Sequence, residues 1–143
     1  MAPWGSRVAY YSGQDLQSFR GWSTAFSVNR DYGMGRPLPW MRRDAWSALW
    51  QGQLCVPEEA DYVFYAQCAG GMRLWIDGVL LVDNWTSPGW SRGVHATQHL
   101  SKGIHPFRME YRDRGGQAAV RVRWTGGPIP PNTEIGFPHL RKY

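Results

Sequence analysis

The chain has 143 residues, which sizes it for one domain spanning 1–143. Hydrophobic residues are 43% and charged residues 19%, so disorder is excluded as the dominant state; 17 Gly, 10 Pro and no Ala/Glu/Lys/Leu-rich segment exclude a helix bundle or coiled coil. The formal net charge of +5 comes largely from Arg, and a moderately basic domain of this kind stays in solution without implying nucleic acid, for which no recognised motif is present.

In chain order, Met1–Trp4 lacks a signal peptide's basic start and apolar core, so the chain reads as cytosolic or as a piece of a longer exported protein. Arg7–Tyr11 reads as a strand. Ser12–Asp44 has no sustained period and reads as long loops with short strands, with Arg36, Arg42 and Arg43 as a basic cluster. From Trp46 to Val56 the pattern alternates: Trp46, Ala48, Trp50, Gly52, Leu54 and Val56 share one face of a half-buried strand. Pro57–Asp61 turns the chain, and Tyr62, Phe64, Ala66 and Cys68 alternate with Val63, Tyr65 and Gln67 in the next strand. A hairpin through that turn pairs Val56 with Tyr62 and puts Cys55 near Val63. Cys68 then lies about 16 Å away, beyond the reach of a disulfide.

Asp77-Gly78 between apolar runs is a hairpin signal, because both turn positions need positive φ. Pairing Ile76 with Val79 sets Trp75 opposite Leu80, Leu74 opposite Leu81, Arg73 opposite Val82 and Met72 opposite Asp83. The run Val79–Val82 is too short to span a bilayer. Thr86–Gly93 is a loop around Trp90, and Thr97–Leu100 reads as a strand. Phe107, Met109 and Tyr111 face one way, with Arg108, Glu110 and Arg112 opposite. After a turn at Asp113–Gly116, Val120, Val122 and Trp124 face inward and Arg121 and Arg123 outward. The tail from Gly126 is Pro-rich and closes as an extended segment. Short strands with regular turn signals predict an all-β, antiparallel two-sheet sandwich with little or no helix. Its core takes in Leu54, Phe64, Leu74, Ile76, Leu81, Val122 and Trp124, with Trp50 and Trp75 in or just below it.

Blocks within this pattern resemble the protective-antigen (PA-14) domain family. They are Trp50-x-Gly52-x-Leu54-x-Val56-Pro57, Tyr62-x-Phe64, Gly71-x-Arg73-Leu74-Trp75-Ile76-Asp77-Gly78 and Leu81-Val82-Asp83-Asn84-Trp85, followed by Gly103-Ile104-His105, Glu110-Tyr111 and Val122-x-Trp124. The resemblance runs from about Trp46 to Trp124, and Ala9-Tyr10-Tyr11 and Ile135–Leu140 also fit it; the loops at Phe19–Asp44 and Thr86–Ala96 lie outside it. It implies a β-sandwich module that accompanies enzymes, adhesins and toxins in exported proteins, and that binds carbohydrate in several members. In those lectins two successive Asp joined by a cis peptide hold a calcium ion. The matching positions here are Ala69 and Gly70, with no oxygen-bearing side chain, while calcium takes about six to eight oxygen ligands. No cofactor is therefore expected, calcium included, and Ala69–Gly70 is expected to be trans.

Zinc has no support, since there is no CxxC or HExxH and the four His are scattered. Catalysis has none either: no carboxylate pair stands out for glycoside hydrolysis, and no nucleophile elbow, P-loop or dinucleotide fingerprint occurs. The expected role is a non-catalytic carbohydrate-recognition or cell-surface module of a longer protein, extracellular or periplasmic. Its partners would be glycans, cell-surface polysaccharide or other domains of the parent, not nucleic acid or membrane. The alternative is a structural or protein-interaction domain docking onto its neighbours.

Five residues are candidate ligand contacts: Trp90, Trp85, Asp113, Arg121 and Arg123. Trp90, in a polar loop, is either a platform for a sugar's C–H face or a cover for the sheet edge, and any glycan is expected at the loops. Trp85 ends a strand, where packing is the competing reading, and Asp77 reads as turn chemistry. Arg108, Arg112, Arg121 and Arg123 form an outward stripe on two neighbouring strands, offset only by Glu110. Such a stripe is either a solvated face or a site for a sulfated or carboxylated glycan or an acidic protein surface. Asn84-Trp85-Thr86 matches the glycosylation acceptor pattern by coincidence.

Overall fold

A computed structural model describes residues 4–86 and 93–142, and it carries side chains. The elements are β1 (Ser6–Ser12), β2 (Ser18–Ala25), β3 (Asn29–Gly33), β4 (Trp46–Val56), β5 (Ala60–Ala69), β6 (Gly71–Ile76), β7 (Val79–Asn84), β8 (Val94–Leu100), β9 (Gly103–Arg112), β10 (Ala118–Gly126), β11 (Ile129–Glu134) and β12 (Leu140–Arg141). A seven-stranded sheet runs β2-β1-β4-β9-β6-β7, with β12 also on β4; a five-stranded sheet runs β11-β10-β5-β8, with β3 also on β10. All pairings are antiparallel. The all-β sandwich expected from the sequence is therefore what forms. Among the described residues no helix is long and apolar enough to cross a membrane.

The inward residues of the two sheets meet in one core. Trp46, Trp50, Leu54, Phe107, Tyr111, Leu74 and Ile76 from the seven-stranded sheet face Tyr62, Phe64, Val122 and Trp124 from the five-stranded sheet. Trp124 stacks between Tyr62 and Phe64 at centroid separations of 5.1 and 6.0 Å. Such rings dominate the burial free energy of a small sandwich. Of the residues assigned to the core or just below it from sequence, Leu81 and Trp75 are not fully buried.

Leu81 marks a register error. Ile76 pairs Val79 and Trp75 pairs Leu80 as expected, but the ladder then shifts by one residue, so Leu74 pairs Val82, Arg73 pairs Asp83 and Met72 pairs Asn84. A β-bulge places two residues opposite one and exchanges the faces beyond it, so Val82 takes the core position and Leu81 packs at the margin. The turn itself is as expected, with φ of 56° at Asp77 and 78° at Gly78. Trp75 is half-buried on the outer face rather than in the core.

Two further pairings differ from the sequence reading. β4 and β5 are not a hairpin: Pro57–Glu59 carries the chain across the sandwich, so β4 pairs β1, β9 and β12 while β5 pairs β8 and β10. Both strands have a full apolar face, and facing each other across the core buries both. Cys55 and Cys68 are thiols on opposite sheets, so it is this crossing, and not a β4–β5 hairpin register, that keeps them unbridged. β9 and β10 also belong to different sheets, which splits the expected arginine stripe. Arg108 and Arg112 lie on one outer surface of the sandwich, Arg121 and Arg123 on the opposite one.

The N-terminal third is more regular than its pattern suggests. β2 is an eight-residue edge strand on β1. It lacks alternation because both of its faces reach solvent: Phe19 and Trp22 are about half exposed.

Candidate functional site

The outer face of the five-stranded sheet is set by alternation. β5 sends Phe64, Ala66 and Cys68 into the core, so Tyr65 and Gln67 face out; β10 buries Val120, Val122 and Trp124, so Arg121 and Arg123 face out. The ladder puts Arg121 opposite Gln67 and Arg123 opposite Tyr65, with Tyr65 in turn opposite His95 of β8. On the other side of β10, Arg123 lies opposite Glu134 of β11 and Arg121 opposite Asn29 of β3.

These side chains surround a recess of about 260 Å³ lined by Tyr65, Gln67, Gly93, Arg121, Arg123 and Asn132. The Arg121 Nη2 donates to Gln67 Oε1 at 2.5 Å. The Tyr65 ring is 44% exposed and stacks on His95, with centroids 4.6 Å apart and planes 20° from parallel. Asn132 holds a left-handed φ of 63°, which Asn tolerates better than most side chains. Among the described residues neither Arg121 nor Arg123 has a carboxylate within ion-pair distance. Glu134 is not paired with Arg123, and its Oε2 is buried without a hydrogen-bond partner.

The opposite outer face is chemically closed. Glu110 accepts from Arg73 Nη2 at 2.8 Å and from Arg108 Nη2 at 2.8 Å. The Arg73 guanidinium lies 4.0 Å and that of Arg112 4.7 Å from the centre of the Trp85 ring, and Arg112 Nε donates to the Trp85 carbonyl at 3.0 Å. Trp85 thus makes cation–π contacts with two guanidinium groups, which engage its ring in packing.

Asp113 is likewise structural. It is fully buried where β9 ends. Its N–H donates to the Trp46 carbonyl at 2.9 Å, and its Oδ1 accepts from Gly115 N–H at 3.1 Å, an Asx contact that shapes the turn. Its Oδ2 has no partner. Burial pushes its carboxyl up from the ordinary range, opposed by the Gly115 amide and assisted by the charge of Asp44.

Of the five candidates, the structure brings together Arg121 and Arg123, places Trp85 and Asp113 elsewhere, and leaves Trp90 outside the described residues. The sequence reading looks to the loops for a ligand, while this recess lies on a sheet face. Tyr65, Gln67 and Asn132 line the recess without being among the sequence candidates, and His95 supports the Tyr65 ring from behind. Alternation marks Tyr65 and Gln67 as outward, but only the β5–β10 pairing sets them beside the arginines.

At the two positions that the lectin resemblance assigns to the acidic pair, the backbone is engaged by neighbouring protein groups. The Tyr111 hydroxyl donates to the Ala69 carbonyl and accepts from Ala119 N–H at 3.1 Å. Gly70 has φ of +120°, and a Cβ there would lie 2.4 Å from the Arg112 carbonyl oxygen and 2.7 Å from the Tyr111 hydroxyl. Ala69 and Gly70 do not supply the carboxylates that calcium needs, and the Ala69 carbonyl is already engaged. Among the described residues no three His, Cys, Asp or Glu side chains converge in a metal-binding group.

The family model described as PA14 domain matches residues 10–132. A curated relative, the anti-sigma-I factor RsgI3 of Acetivibrio thermocellus, is 32% identical over 123 residues, covering 85% of this chain and 19% of the relative. A solved anti-sigma factor domain-containing protein from Clostridium clariflavum superposes with a TM-score of 0.90 at 23% identity, over 98% of this chain and 47% of that one. The PA14 sugar-binding domain of an RTX adhesin superposes with a TM-score of 0.76 at 14% identity, over 99% of this chain and all (100%) of that one. The chain thus spans about a fifth of the curated relative and about half of the solved anti-sigma factor chain.

Proposed function

The chain belongs to the PA14 domain family, and we propose that it is a non-catalytic carbohydrate-recognition module of a longer, exported protein, with its ligand on the outer face of the five-stranded sheet. One observation carries this reading: Tyr65, Arg121 and Arg123 converge on a recess in which, among the described residues, neither guanidinium has a carboxylate partner. One face of the Tyr65 ring stacks on His95 and the other is left for a sugar's C–H surface, while guanidinium and amide groups bind hydroxyls. The sugar-binding label of the RTX adhesin domain lends support through fold alone. Binding proceeds without calcium in this reading, because Ala69 and Gly70 replace the acidic pair. A glycan array at physiological salt tests it: Tyr65→Ala should abolish any signal while the melting temperature holds, and an array with no signal overturns the reading.

A second reading, docking onto neighbouring domains, is favoured by a different surface. Phe19 and Trp22 on edge strand β2 are 49% and 53% exposed, with ring centroids 5.1 Å apart and planes tilted by 57°. Tilted rings make a poor platform for a flat sugar and a good apolar contact for protein. Phe19→Ser with Trp22→Ser should weaken association with the rest of the parent protein and leave the glycan array unchanged.

A further inference from the structure

Resting on the glycan reading above, we infer that the recess selects an anionic sugar unit, one carrying a carboxylate or a sulfate, held between Arg121 and Arg123.

The two sheet faces differ in charge compensation. On the opposite face Arg73 and Arg108 share Glu110, and Arg112 lies 3.9 Å from Asp15. Arg121 has only the neutral Gln67 amide, and Arg123 has no hydrogen bond or ion pair among the described residues. The two are i and i+2 on one strand, so their Cα atoms are about 6.7 Å apart and both charges face the same recess. Glu134 lies opposite Arg123 on the ladder but is not paired with it, so the two like charges repel, and an anion between them relieves that repulsion.

The hydrogen-bond inventory agrees. A guanidinium donates through five N–H groups and accepts nothing. Gln67 Oε1 is already used by Arg121, which leaves the Gln67 amide N–H groups as further donors. Among the described side chains that line the recess, only Asn132 and the Tyr65 hydroxyl add acceptor capacity. A neutral sugar presents hydroxyls that need acceptors as well as donors. A carboxylate or sulfate presents acceptors alone, and the planar fork of Arg matches it in two parallel bonds. The recess volume of about 260 Å³ falls just below the range of about 300–1,000 Å³ usual for drug-sized ligands. That suits one charged ring, with the rest of a chain lying across the open face beside Tyr65.

The test is a glycan array that pairs neutral glycans with their uronate and sulfate counterparts on the same backbones. Binding confined to charged members and weakened by salt is expected, and the uronate and sulfate arms tell the two sources apart. Arg123→Gln should weaken binding of the charged members by about 10- to 100-fold, the loss expected for one charge-assisted contact. The control Arg36→Gln with Arg42→Gln, which lowers net charge away from the recess, should leave it unchanged. Equal binding of neutral and charged partners overturns the anion inference and leaves the glycan reading standing. An equal loss in the control also overturns it, since net charge alone would then explain binding. No signal on any member overturns both.

Discussion

The Tyr111 hydroxyl ties β9 to two other parts of the chain at once, donating to the carbonyl of Ala69 at the end of β5 and accepting from the N–H of Ala119 in β10. Burial holds its pKa far above the ordinary phenol value, so the O–H stays available as a donor at any ordinary pH. Tyr111→Phe leaves the ring in place and strips a buried carbonyl and a buried N–H of this partner. The expected loss of stability is about 1–3 kcal/mol, read from urea midpoints. A loss too small to measure would mean that water replaces the hydroxyl.

The same phenol governs what can be restored by mutation. Calcium or a chelator should not shift the melting temperature of the wild-type chain, since a ligand binding the native state must stabilise it. Ala69→Asp with Gly70→Asp should not create a calcium site either. The side chain added at 70 would meet the Arg112 carbonyl oxygen at 2.4 Å, and backbone cannot yield as a flexible side chain can. The expected outcome is a destabilised protein that calcium does not rescue. A calcium-dependent rise of several degrees in either protein would sink this.

The bulge in the β6–β7 hairpin makes a test of register. Val82 is buried in the core and Leu81 sits at its margin, the reverse of the bulge-free pairing. Val82→Ala should cost about 2 kcal/mol and Leu81→Ala about 1 kcal/mol or less, although leucine loses more atoms. Thermal or urea unfolding of the two variants decides it. A larger loss at Leu81 would restore the unbulged hairpin.

Two titrating groups act with opposite physical causes and the same sign. His99, an exposed side chain, lies between Glu59 at 2.9 Å and Asp61 at 2.7 Å, and hydrogen bonds to Glu59 and then Asp61 raise its pKa. Its contribution is complete below the unfolded value of about 6.5 and is lost as pH rises through the higher folded value. Exposure keeps the effect small. His99→Gln should therefore be relatively more stable above that window than below it, and the folded pKa is read directly by NMR titration of the imidazole. A midpoint at or below the ordinary histidine value would refute the pairing.

Asp113 is raised by burial, so the folded chain holds its proton more tightly than the unfolded chain does. Lowering the pH through its folded pKa should stabilise wild type relative to Asp113→Asn, which has no charge to bury. Paired denaturation curves across the acid range should show that relative gain. A constant difference would mean that the carboxylate finds solvent or a partner.

What the sequence determined by itself was the content of most strands from Trp46 onward and the face of most of their residues. Alternation assigns Arg121 and Arg123 outward and Val122 and Trp124 inward without knowledge of any neighbour, because side chains on a strand alternate by geometry. Asp77-Gly78 fixes its turn for the same local reason. Tertiary structure alone decided which strands lie side by side. A backbone ladder carries the same N–H and C=O groups on every strand, so alternation names a face and not a partner. Arg108 and Arg112 read as neighbours of Arg121 and Arg123, yet the sandwich puts them on opposite surfaces, one pair compensated by Glu110 and Asp15 and the other facing Tyr65 and Gln67 without a carboxylate. The candidate site exists only because β5 and β10 chose each other, and that choice was made by burying Phe64, Ala66, Val122 and Trp124 against the facing sheet.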